Sequence, residues 1–126
     1  MESVRIISPQ DVPAHLGAGG RRTRVLLDPE TGHPGLELYH VELAPGASSE
    51  VHTRGHAEAL IVLDGVAGVK TGDTLHQAET GEVILIPAGV EHQHVNAGEG
   101  ANRFVCIFAP PTGNAVDVRS RPPAED

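Results

Sequence analysis

The chain has 126 residues, with 9 Lys and Arg against 17 Asp and Glu, for a formal net charge of −8. Its basic residues cluster only at Arg21, Arg22 and Arg24, which argues against nucleic-acid binding, and no apolar run approaches the roughly 20 residues of a membrane helix. Aromatic residues make up 2%, so the core must rest on Val, Leu, Ile and Ala; the lone Cys106 excludes an intramolecular disulfide and suits a reducing cytoplasm.

The first residues, MESVRIISPQDVPAH, contain no secretory h-region, and the stretch up to Arg22 is Gly-rich, so 1–22 reads as a flexible lead-in. Short β-rich runs follow, separated by Gly, Pro, Asn and Asp. Strands are predicted over 23–27, 36–43, 57–63, 66–71, 74–78, 82–86, 92–96 and 103–108. Turn signals fall at Asp28-Pro29, Pro45-Gly46, Asp64-Gly65, Gly72-Asp73, Thr80-Gly81 and Pro87-Ala88-Gly89; Gly72-Asp73 reads as a tight hairpin. Helical periodicity is nearly absent. The pattern implies one all-β domain over 1–126, closed as a barrel or jelly roll with its core at about 23–110, and a flexible or partner-bound tail at 118–126. A terminal strand added to a neighbour's sheet would cover an open edge, so a homodimer is expected. The bias to Ala, Gly, Val and Arg with a single Lys70 suggests a bacterial, GC-rich source.

Histidine is the informative residue. Two windows, Val51–Glu58 and Val90–Asn96, carry His52, Arg54, His56 and Glu58, then His92, His94 and Asn96, at alternate positions. If both windows are extended, each set shares one strand face. Two such strands meeting would bring imidazoles and a carboxylate to one point, and two His with one carboxylate form a transition-metal ligand set with open positions. His15, His33 and His76 read as surface residues. His40, in mid-strand, reads as a satisfied sheet residue or as one lining the barrel. Cys106, among Phe104, Val105, Ile107 and Phe108, reads as a buried, inert thiol. Nucleotide, phosphate-loop and nucleophile-elbow motifs are missing.

The two windows resemble a known pair of motifs. Gly46, His52, Glu58 and Gly65 match the first cupin motif (Gly, five residues, His-x-His, three or four residues, Glu, six residues, Gly), with Arg54 where its second His stands. Gly81, Pro87, Gly89, His92 and Asn96 match the second at every position. The resemblance implies a cupin double-stranded β-helix holding one divalent transition metal, Fe, Mn, Ni or Zn, on His52, Glu58 and His92. Arg54 stays charged and cannot ligate a cation. His56 or His94 could supply the missing ligand. Alternatively Arg54 could take the metal's place and pair with Glu58. A shorter stretch, Arg24–Thr31 after Gly19-Gly20, resembles the lead-in of small cupins associated with aromatic polyketide cyclisation.

The reading is therefore a metal-dependent enzyme acting on a small organic molecule inside the barrel, of isomerase/cyclase or dioxygenase type. Tyr39, Leu60, Val62, Phe104 and Phe108 are its expected pocket walls, and Arg54, Glu58 and His94 its expected reacting side chains. The other reading is a metal-free, non-catalytic ligand-binding or sensor barrel.

Overall fold

A computed structural model of the chain describes residues 3–124. Among them nine strands form two antiparallel sheets: β1 (His15–Leu16), β2 (Arg21–Leu27), β3 (Glu37–Leu43), β4 (Glu58–Asp64), β5 (Val66–Thr71), β6 (Thr74–Glu79), β7 (Val83–Ile86), β8 (Gln93–Asn96) and β9 (Asn102–Phe108). The larger sheet runs β1-β2-β3-β9-β4-β7 and the smaller β6-β5-β8. This is the expected all-β jelly roll.

Period-two burial builds the core. Along β9 buried and half-buried residues alternate without exception, and along β4 Glu58, Leu60 and Val62 face in together. Phe104, Leu43, Leu60, Val62 and Val69 are fully buried. The pairing Thr71↔Thr74 leaves Gly72-Asp73 as a two-residue loop, with Gly72 at φ 58°, a region glycine enters without steric cost. Asn96 ties the end of β8: its amide donates to the carbonyls of Leu43, Ala44 and Gly100 and accepts from Gly98 N–H.

All eight expected strands are present within two residues of their expected bounds. The chain ends differ from the sequence reading. Residues 14–16 pair with 122–124, through Leu16 N–H to the Pro122 carbonyl (2.8 Å) and Ala124 N–H to the Ala14 carbonyl (2.8 Å). A short helix, α1 (Ala115–Arg119), precedes this crossing and buries Ala115 and Val118. The tail is thus ordered by two apolar contacts and long-range pairing that no local pattern announces. Residues 1–2 and 125–126 of the expected flexible ends lie outside the described residues.

A salt bridge fastens α1 to the barrel. Arg119 donates a forked pair of bonds to the buried Asp28 carboxylate (3.0 and 2.9 Å), which also accepts from Thr31. The Arg119 bond, aided by Thr31 and opposed by burial, lowers the Asp28 pKa from 3.8 to about 2. A depressed folded-state pKa adds stability above the unfolded value, and this is lost as pH falls from about 4 towards about 2. Asp28→Asn is therefore expected to lose about 2 kcal/mol at pH 7. The gap from wild type should close near pH 2, and urea unfolding across that range measures both.

Candidate metal centre

The site grows from one backbone bridge. His52 and His92 exchange both main-chain hydrogen bonds, each 2.9 Å, so their side chains stand adjacent on one face, with ring centroids 4.3 Å apart. Gly89, at φ 80°, turns the Pro87-Ala88-Gly89 segment and donates its N–H to the Arg54 carbonyl, binding the two histidine windows together. His94 lies two residues beyond His92 on the same face. Ser49 holds it in place, its N–H donating to the His94 carbonyl (2.8 Å) and its hydroxyl accepting the His94 N–H (3.0 Å). The His94 ring stacks on Phe104. Glu58 opens β4 between Phe108 of β9 and Ile86 of β7, and points into the same space.

Four donors surround that point. Glu58 Oε1 is 2.9 Å from His92 Nε2 and 4.0 Å from His52 Nε2; Glu58 Oε2 is 3.6 Å from His94 Nε2. One ligand atom from each of the four residues lies within 4.8 Å of all the others. Ligands about 2.1 Å from one ion sit about 3.0–3.4 Å apart, so the donors need only small adjustments to share one. Two of the imidazoles are oriented from behind. Nδ1 of His52 faces the Glu50 carbonyl (3.0 Å) and Nδ1 of His92 the Val90 carbonyl (2.8 Å). A carbonyl only accepts, so each Nδ1 carries the proton and each Nε2 turns towards the cluster. His52 Nε2 and Glu58 Oε2 are buried with no hydrogen-bond partner. An ion among the four side chains would satisfy both, so the residues fit a divalent cation with nitrogen and oxygen ligands.

Electrostatics favour an ionised carboxylate and a neutral His52, while His92 must give up its Nε2 proton to ligate a cation. Burial, then the charges of Arg54, His92 and His94, lower the His52 pKa to about 4, leaving it neutral at pH 7 with a lone pair to donate. Burial would raise Glu58, but the His92 hydrogen bond and the closeness of the His94 and His92 imidazoles outweigh it and hold the carboxyl well below its ordinary range. Burial would lower His92, but the Glu58 and Val90 bonds outweigh it and the net shift is upward.

A cavity of about 220 Å³ opens above the cluster. Tyr39, Phe104 and Phe108 line it, as does Arg54, whose guanidinium stacks 4.9 Å over the Phe108 ring with Nε 3.6 Å from Glu58 Oε1. Leu60 and Val62, expected as walls, are instead fully buried core and do not line it. His56 is exposed and stands outside the cluster, because the chain bends at Gly55–His56 and the run from His52 to Glu58 is not continuously extended. His40 faces away from the cavity, as alternation with Tyr39 and Val41 requires; it is buried with neither ring nitrogen hydrogen-bonded. His33 and His76 are exposed and His15 is half-buried. Cys106 is buried, and burial, reinforced by the Glu58 charge, raises its thiol pKa well above the ordinary value.

Sequence reasoning missed the residues that close the cavity. Arg21 and Glu50 border it, and Asn114, Asp117, Val118 and Arg121 of the C-terminal segment roof it. Glu37 anchors that roof, accepting from Thr112 N–H, the Thr112 hydroxyl and Gly113 N–H while the Tyr39 hydroxyl donates to it from the cavity side. The sequence signal available was Thr-Gly-Asn ahead of AVDVR, polar residues of the kind that start helices. Among the described residues no helix is long and apolar enough to cross a membrane.

The cupin-domain family model matches residues 39–108. Protein SchB of Streptomyces halstedii is 31% identical over 111 residues, covering 86% of this chain and 80% of SchB. Germin-like protein subfamily T member 3 of Arabidopsis thaliana is 28% identical over 108 residues; this chain spans about half its length, 48%. Among solved structures, the polyketide cyclase RemF from Streptomyces resistomycificus superposes with a TM-score of 0.74 at 26% identity, covering 86% of this chain and 83% of RemF. A predicted oxalate decarboxylase from Thermotoga maritima superposes with a TM-score of 0.75 at 19% identity, covering 85% of this chain and 100% of that one, a likeness of fold alone. With both motifs meeting at one buried point of a jelly roll and the family model covering more than half its length, the chain belongs to the cupin family.

Proposed function

We propose that this chain is a metal-dependent enzyme of the isomerase or cyclase type, acting on a small organic molecule inside the barrel. One observation carries the reading: His52, Glu58, His92 and His94 converge on one buried point that opens into a cavity. The likeness to RemF supports cyclisation over the other chemistries of the fold. A divalent ion held by those four residues would supply Lewis acidity towards a carbonyl or enol oxygen. The chain's own groups do the rest. Tyr39, Val41, Phe104 and Phe108 give the substrate an apolar wall. Arg54, held flat against Phe108, presents guanidinium N–H groups to an oxygen that gains negative charge. The C-terminal roof limits water.

The test is reconstitution with Fe, Mn, Ni or Zn, followed by elemental analysis and two assays. One follows exchange of the central C–H of an alkylated 1,3-diketone in D2O by NMR; the other follows dioxygen consumption. Exchange accelerated by the metal-loaded protein but not by His92→Ala is the expected result. Dioxygen uptake in its place would move the assignment to a dioxygenase. Stoichiometric metal with neither activity would sink the enzyme reading.

One contact favours a second reading. Arg54 Nε lies 3.6 Å from Glu58 Oε1, a pairing that suits a metal-free, non-catalytic ligand-binding barrel. Failure to take up any of the four metals would select it.

A further inference from the structure

Two of the three arginines that line the cavity, Arg21 and Arg121, are more buried than the carboxylates they pair with, Glu50 and Asp117, which line it too. Arg21, on β2, and Arg121, just past α1, both line it. Arg21 is 14% exposed, while its partner Glu50, 3.4 Å away, is 51% exposed. Arg121 is 28% exposed, while its partner Asp117, 3.5 Å away, is 73% exposed. Ion pairs this long, with one partner in solvent, are weak and screened. Arg21 Nε is buried with no hydrogen-bond partner. Both guanidiniums converge on Gly17: a Cβ placed there would lie 2.8 Å from Arg21 Nε and NH2 and 2.8 Å from Arg121 NH1. The two groups are therefore no farther apart than twice that distance. Like charges held together in a cavity, with donors to spare, form a fork that fits a carboxylate. Burial, reinforced by Arg121 and opposed by Glu50, pushes the Arg21 pKa down, as expected of a cation lacking its full complement of partners.

We infer that the substrate is an organic carboxylate, its anionic group gripped between Arg21 of the barrel and Arg121 of the C-terminal roof while its other end reaches the His and Glu cluster. This names the substrate class for the site proposed above, and it rests on that reading for which end reacts. The roof completes the anion site, because Arg121 meets Arg21 only when the C-terminal segment crosses β1. The apolar wall between the two polar ends suits a carbocyclic or aliphatic body.

The test uses benzoate and its neutral near-isostere benzamide, titrated calorimetrically into the full chain in metal-free and zinc-loaded forms, with zinc content measured alongside. Benzoate is expected to bind both forms about tenfold more tightly than benzamide. Arg21→Gln and Arg121→Gln should each reduce benzoate to the benzamide level while leaving zinc content unchanged. Gly17→Ala, at a backbone conformation open to any residue, displaces both guanidinium ends without removing a charge, and should weaken benzoate in the same way. Equal binding of benzoate and benzamide would overturn the inference. So would benzoate binding that needs zinc and ignores both arginines, since the carboxylate would then sit on the metal. Arginine-dependent benzoate binding in a chain that takes up none of Fe, Mn, Ni or Zn would leave the anion site standing and sink the metal reading alone.

Discussion

Glu58→Gln is expected to lower divalent-metal affinity on the order of 100-fold or more, from near-stoichiometric loading to none retained on desalting. Replacing residues that merely orient ligands costs about 10–100-fold, and a direct ligand should exceed that. Glu58 is the hub: three imidazoles and Arg54 approach its two oxygens within 4.0 Å. The amide keeps the shape but loses the charge that offsets a dication. The readouts are competition with a chromophoric chelator and thermal unfolding. With free metal at about 100 times Kd, the wild type gains about 2.7 kcal/mol of stability. The variant should gain about 0.4 kcal/mol or less. A variant that keeps both its metal and its thermal response would show that the carboxylate is only a hydrogen-bond partner of His92.

The second large effect separates the two histidines that sequence could not rank. His94→Ala is expected to cost metal affinity on the order of 100-fold, and His56→Ala less than about twofold, because only His94 aims Nε2 at Glu58. The bend at Gly55–His56 sends His56 to solvent. A compensating substitution sharpens the test. Arg54 lines the same cavity at the position where the cupin motif has its second His. Arg54→His placed on His94→Ala is expected to recover most of the lost affinity. Recovery would mean that His94 stands in for the absent motif histidine. Without recovery, and with His94→Ala still fully loaded with metal, the four-ligand site would fail.

Both expectations turn on features that differ in how plainly the chain announces them. Strand faces are local. Alternation along NRFVCIF and EALIVLD was readable because a pleated strand sends successive side chains to opposite sides, and Gly-Asp or Pro-Ala-Gly marks where it must turn. The eight main strands and the all-β class came from such short patterns, and the resemblance to the two cupin motifs singled out His52, Glu58 and His92 among the residues on those faces. Alternation does not by itself identify the cavity walls. Leu60 and Val62 face inward as expected, yet they sit in the packed core, because alternation tells which face is buried and not whether that face meets a void.

Tertiary structure decided the rest. The choice of His94 over His56 depended on β8 staying extended while the segment after His52 bends, and on Ser49 gripping the His94 backbone from 45 residues away in sequence. The ordered C-terminus depended on Asp28 meeting Arg119 across 91 residues and on Glu37 meeting Thr112 across 75. The Arg21–Arg121 fork exists only because those contacts draw the tail over the barrel mouth. Sequence periodicity reports the angle between neighbouring side chains along one strand. It carries no record of which distant segments pair, and here that long-range pairing built the roof, the anion fork and the fourth candidate ligand.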